Sequence, residues 1–306
     1  MNNNNVSGRG LVIGMLISMF IWGLSWPSGK VLTQFCTPIN FAGYRYIIVV
    51  ITLLPILFLL KAGLVISKEG IPSVIITGIL LALYSFLFFK GLSLGKAGAG
   101  GVLVTTLNPI MAYIVGIFLS RHLPSKNEIL GLVLGIFASC FLLKVWDNAN
   151  NIFASGNLYF LSAAFTWAAM SKITSKGGKY GSSLSFTFWQ YFITLICILP
   201  LMNFHELNNA IQIKQSLFWY NMFFSSAIVT TLATTVFFYS TTRLGAEKAS
   251  SFLFLVPLAA ALSSWVFLDE TIQFHTIVGG FLGMGAVYFI NKKVVLIKKN
   301  VLDRSN

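Results

Sequence analysis

The chain has 306 residues, 56% of them hydrophobic and only 9% charged, with a mean hydropathy of +0.81 and a formal net charge of +13. A soluble domain is about a quarter charged, so this composition excludes a water-soluble globule. The positive charge by itself would admit a nucleic-acid binder, but no basic stripe or stacking platform stands outside the apolar runs.

Apolar runs bounded by charge or turn residues predict an all-α integral membrane protein, each run being close to the roughly 20 residues that cross a bilayer as helix. Ten spans are expected, near 11–29, 39–60, 71–89, 98–120 and 127–144, then near 156–172, 183–203, 217–240, 248–268 and 274–291. Loops between them leave no room for a soluble domain, and the runs are too continuous for the alternating strands of a membrane barrel. The first run is long for the apolar core of a signal peptide, and Trp22, Trp26 and Pro27 stand where small cleavage-site residues belong. With the N-terminus inside, Lys and Arg are about threefold more numerous on the inner side, only Lys30, Lys90, Lys96, Lys144 and Lys214 falling outside. Both termini are therefore expected in the cytoplasm. Cys36, Cys140 and Cys197 are scattered, which offers neither a disulfide framework nor metal spacing.

An internal repeat divides the chain. At an offset of 145, Trp22 matches Trp167, the triplet Tyr44, Arg45, Tyr46 matches Trp189, Gln190, Tyr191, and Pro55 matches Pro200. At 148, Pro109 matches Pro257, Gly131 matches Gly279 and Gly135 matches Gly283. The expected units are residues 1–150 and 151–306, the second with a basic tail. Five spans per unit is an odd number, so the second unit enters the membrane inverted relative to the first. Inverted repeats recur in secondary transporters, with the substrate site near the midplane between the halves.

The segments FIWGLSWPSGK at Phe20 to Lys30, GYRY at Gly43 to Tyr46, the stretch from Leu92 to Pro109, and RLGAEKASSFLFLVP from Arg243 to Pro257 followed by FLDE occur in that order. Together they resemble the drug/metabolite transporter superfamily, and within it the EamA-type exporters, over nearly the whole chain. The resemblance implies two inverted five-helix repeats, cytoplasmic termini and export of amino acids or related metabolites. One departure is that the first half reads SRHLPS where family halves often carry a Glu, while the second keeps Asp269 and Glu270.

Arg45 sits inside the second span, where an arginine is costly unless it faces protein or water. It is expected either as a counter-charge for a substrate carboxylate or as a snorkelling residue that pins helix packing. Its repeat partner Gln190 is a neutral hydrogen-bonding group that fits either role. Trp22, Trp26, Tyr84, Trp167 and Tyr239 are candidates for an aromatic cavity lining, with Trp189 in the same aromatic set. Asn108 beside Pro109, and Thr235 within a hydroxyl face that includes Thr230, Thr231 and Thr234, are candidate polar contacts; those hydroxyls also have the option of bonding their own helix. Pro109 and Pro257 mark expected breaks or hinges, since each removes a backbone donor. Gly131 with Gly135, and Gly279 with Gly283, predict close helix packing. All eight acidic residues and all three histidines fall in loops or at span ends, so a midplane proton relay is not expected.

The leading expectation is a metabolite exporter working by alternating access in a bacterial inner membrane, with a small metabolite and the lipid bilayer as its partners. Nucleic acid, metal, cofactor and catalytic residues are not expected, and a homodimer is left open. The alternatives are exchange or import of a larger nucleoside-like or vitamin-like molecule such as S-adenosylmethionine or riboflavin. A membrane enzyme or a scaffold is the different class; the first lacks an intramembrane nucleophile and base, and the second a soluble domain.

Overall fold

The computed structural model describes residues 8–94, 97–121, 123–143, 145–146, 156–203, 215–260, 262 and 274–302. Expectations resting on Lys96, His122, Lys144, Asp147, His205, Glu206, Lys214, Asp269, Glu270 and the tail beyond 302 lie outside these residues, as does the far part of the ninth expected span.

In a hydrocarbon solvent every backbone N–H and C=O must be satisfied within its own segment, and the chain obliges with helices. The described residues are 88% helical, and they pair extended backbone only at the isolated bridge between Ile66 and Gly181. Helix α1 spans Gly8–Leu32, α2 Pro38–Leu59, α3 Ile71–Leu94, α4 Ala97–Ser120 and α5 Lys126–Leu143. Next come α6 at Asn157–Thr174, α7 at Ser183–Ile198, and α8 over Ser216–Leu244 with a π-helical centre at Phe224–Thr234. Helix α9 opens with Ala246–Ser251, tightens to 3-10 geometry at Phe252–Leu255 and is helical again through residue 260; α10 is Phe274–Leu302.

Among the described residues six stretches are long and apolar enough to cross a membrane: Arg9–Leu32, Pro38–Leu59, Lys68–Leu94, Ser183–Leu201, Ser216–Leu244 and Phe274–Lys292. Val104–Leu119 is a shorter apolar helix. Helix starts carry the expected signals. Pro38 occupies the first turn of α2 after extended Thr37. The Ser182 hydroxyl caps α7 by accepting from the Ser185 N–H at 2.9 Å. Gly245, at φ +86°, supplies the left-handed turn that separates α8 from α9.

Exposed apolar side chains run in helical stripes: Ile13, Ile17 and Phe20 on α1; Ile75, Ile79, Leu83 and Phe86 on α3; Ile277, Phe281, Met284 and Tyr288 on α10. Such stripes face lipid, and the interior is correspondingly rich in hydroxyls bonded to their own helices, among them Thr77 donating to the Ser73 carbonyl at 2.8 Å.

Contacts at both ends fix three helix pairs as antiparallel. The hydroxyl of Ser28, late in α1, reaches the Asn221 carbonyl early in α8 at 3.5 Å, while Gly14, early in α1, faces Val236 late in α8. Asn40 at the start of α2 accepts from the N–H of Asn203, just past α7, at 2.9 Å; Ser185 at the start of α7 donates to the carbonyl of Gly63, just past α2. Helix α5 packs along α10, where Gly131 meets Ile290 and the Ala286 carbonyl, and Gly279 meets Leu142 and the Ala138 carbonyl.

Gly135 and Gly283 both close on Phe254, the first against its ring and the second with a would-be Cβ only 2.8 Å from its carbonyl oxygen. A backbone oxygen cannot swing aside as a ring can. Gly283→Ala is therefore expected to destabilise by about 1–3 kcal/mol through overpacking. Gly285→Ala, whose added Cβ would meet Leu134 at an ordinary 3.6 Å, is expected to be close to neutral. Thermal unfolding in detergent checks this, and equal melting of the two variants would remove the packing role of Gly283.

Candidate functional site

The site is organised around the wide centre of α8. The hydroxyls of Thr230 and Thr234 donate to the Ser225 and Val229 carbonyls, five residues back, at 2.9 Å each. This is the spacing of a π turn, a feature often found where helices build sites. Arg45, in the third turn of α2, donates through Nε to Thr230 Oγ1 at 2.5 Å, and its guanidinium carbon lies 5.3 Å from the Phe89 ring centre. Among the described residues no carboxylate pairs with Arg45.

Arg45 faces a cavity of about 50 Å³, room for a few waters. Trp22, Trp26, Tyr84, Asn108 and Trp167 line it as well, so six of the nine expected contact residues come together. Trp22 and Trp167 meet edge to face at 5.4 Å, and Tyr84 lies 4.7 Å from Trp167. The indole nitrogens of Trp22 and Trp167 and the Asn108 side-chain oxygen are buried with no hydrogen-bond partner among the described residues. Two donors and an acceptor so placed call for a polar guest or water. Thr230 and Thr234 of the expected hydroxyl face line the cavity too, as do Tyr46 and Ser225, which the sequence did not single out as contacts; Tyr46 was visible only in the repeated triplet and the GYRY segment.

The remaining candidates lie elsewhere. Gln190 Oε1 accepts from Thr174 at 3.5 Å, Thr235 meets the Tyr191 hydroxyl at 3.3 Å, and Tyr239 lines a second pocket under Arg243. Helix α4 runs unbroken through Pro109, so the expected break is absent there, whereas α9 tightens to 3-10 geometry just before Pro257. Each proline nevertheless withholds the N–H that would serve the carbonyl four residues earlier. Those carbonyls belong to Thr105 and Leu253, and both residues line the cavity.

The cavity is displaced toward one face. Its lining comes from the late part of α1 and α3 and the early part of α2 and α4. Toward the opposite face Trp167, Phe237, Phe238 and Tyr191 pack together at ring separations of 5.4 to 6.1 Å, Trp167 stacked on Phe238 and tilted against Phe237, and Tyr191 tilted against Phe238. At that face Lys172, near the end of α6, forms an ion pair with Glu247 in the first turn of α9, the two side chains being only 12% and 10% exposed. Gly116 of α4 leaves the space into which the Glu247 carboxylate fits.

The EamA-like transporter family matches residues 9–144 and again 154–292. The chain belongs to this family. An uncharacterized transporter of Bacillus subtilis, YoaV, is 27% identical over 89% of this chain and 93% of its own length. A probable amino-acid metabolite efflux pump of Salmonella typhimurium is 24% identical over 89% of this chain and 92% of its own. A protein crystal structure with 14% identity superposes with a TM-score of 0.67 over 92% of this chain and 96% of that one, which shows a shared fold.

As an EamA-like transporter the chain is a multi-pass membrane protein that handles small molecules, and the family and relatives' names indicate a transporter rather than an enzyme. An aromatic chamber whose Arg45 has no carboxylate partner among the described residues is suited to holding an anionic group while apolar surface contacts the rest.

Proposed function

We propose that this chain exports small carboxylate-bearing metabolites, amino acids or their derivatives, by alternating access between two inverted five-helix repeats of a ten-span bundle. Arg45 carries the reading: it is a cation without a carboxylate partner among the described residues, held by Thr230 at the wall of a chamber with orphaned polar groups. Trp and Tyr faces are available to an ammonium group through cation–π contact. The name of the Salmonella relative points in the same direction.

Repeat-related contacts support the inverted arrangement. Under the offset of 148, Gly131 against Ile290 and Ala286 maps onto Gly279 against Leu142 and Ala138. The equivalent helices α2 and α7, and α5 and α10, run antiparallel, as a twofold axis in the membrane plane requires. The two matched segments lie on either side of the proposed boundary at 150. We place both termini in the cytoplasm of a bacterial inner membrane, on the distribution of Lys and Arg. The chamber then leans outward, and the Lys172–Glu247 face is the closed cytoplasmic side.

Counterflow into proteoliposomes, run against amino acids, dicarboxylates, nucleosides and riboflavin, tests the reading. Saturable uptake confined to carboxylate-bearing compounds is expected. Uptake only of uncharged nucleosides or vitamins would sink it.

A further inference from the structure

A second pocket, of about 450 Å³, opens between the α6–α7 connection and the end of α8. Because α1 and α8 are antiparallel, this pocket lies at the face where α1 begins, opposite the side toward which the chamber leans. Lys179 and Arg243 line it, together with Tyr239, Ser182, Ser183 and Thr242. The Ser183 and Thr242 hydroxyls meet at 2.8 Å and tie the start of α7 to the end of α8. The Arg243 guanidinium sits over the Tyr239 ring at 5.1 Å, which fixes its direction. None of the described residues lining the pocket is acidic, and neither cation has a carboxylate partner among the described residues. Helix α7 also begins here, at Ser183, and contributes the positive end of its dipole.

We propose that this pocket is a binding site for a phosphate-type oxyanion, supplied by an anionic phospholipid head group or by a soluble phosphate. Two cations, Arg243 held over the Tyr239 ring and the exposed Lys179, with a helix start and a hydroxyl-rich wall, match a tetrahedral anion with several acceptor oxygens. Lipid is the nearer source, since basic pockets between membrane helices at a charged interface retain phosphate head groups. The site is separate from the Arg45 chamber and does not depend on what that chamber carries.

Native mass spectrometry of the purified chain reads lipid retention, comparing phosphatidylglycerol with phosphatidylcholine; thermal stabilisation by inorganic phosphate reads the soluble arm. For whichever anion binds, Lys179→Gln and Arg243→Gln are each expected to weaken binding roughly fivefold, and the double variant on the order of thirtyfold. Lys176→Gln, an exposed lysine of the same connection that does not line the pocket, is the control and is expected to leave binding unchanged. Preferential retention of phosphatidylglycerol lost in the double variant identifies a lipid site. Stabilisation by phosphate without lipid preference, again lost in the double variant, identifies a soluble anion. Neither effect in the wild type, or an equal loss in Lys176→Gln, would overturn the proposal. The double variant's own melting curve establishes that it is folded.

Discussion

Glu247→Gln is expected to lower the stability of the detergent-solubilised chain by about 3 kcal/mol, because removing one member of a buried ion pair leaves the other charge uncompensated. Lys172 would then face a neutral amide from an environment only 12% exposed. Lys172→Met strands the carboxylate in the same way, in a niche shaped by Gly116. The double variant Lys172→Met with Glu247→Leu removes both charges and restores apolar volume, so it is expected to recover most of the loss. A double-mutant cycle on thermal or denaturant unfolding measures the coupling. A coupling energy below about 0.5 kcal/mol would show that the pair contributes nothing beyond two independent sites. The pair joins the end of α6 to the start of α9 at the face away from the chamber. Its loss is therefore also expected to raise labelling of cysteines introduced along that face, if the contact holds it shut.

The helices were legible because hydrocarbon imposes a strong rule on them. The second expected span, 39–60, and the observed Pro38–Leu59 nearly coincide, as do 98–120 and Ala97–Ser120. The last helix extends well past the expected end at 291, to Leu302, because apolarity stops at the membrane boundary while helix propensity does not. The aromatic chamber was legible from Trp22 and Trp167, which recur at equivalent positions. Gln190 was not: the repeat offset identifies a helix and a level on it, but not the rotation that turns this side chain toward Thr174. The four threonines of α8 read as one polar face at ordinary helical spacing, and the π turn that redirects Thr230 and Thr234 has no local sequence signature. Lys172 and Glu247 are 75 residues apart, and each reads alone as an ordinary charge at a span end. Their burial is a property of how α4, α6 and α9 meet.

Arg45→Ala, at matched membrane abundance, is expected to lower transport efficiency for a carboxylate-bearing substrate by about a hundredfold, within the 2–5 kcal/mol that truncating one partner of a buried charge pair costs. Arg45 uses one of the five N–H donors of its guanidinium on Thr230. The others are available to a carboxylate, and the planar fork makes lysine a poor substitute. Arg45→Lys is accordingly expected to keep the charge but to lose about tenfold, with the loss in apparent affinity rather than in maximal rate. Thr230→Val removes the hydroxyl that orients the guanidinium and is expected to fall between the two. Stability separates this role from simple helix pinning. A pinning arginine destabilises the chain when removed, whereas a cation held in a narrow chamber without a carboxylate partner among the described residues carries a desolvation cost in the empty protein. Arg45→Ala is therefore expected to melt at or above the wild-type temperature while losing transport. A variant that melts markedly lower, with flux per folded molecule unchanged, would make Arg45 a packing residue and remove the central support for a carboxylate substrate.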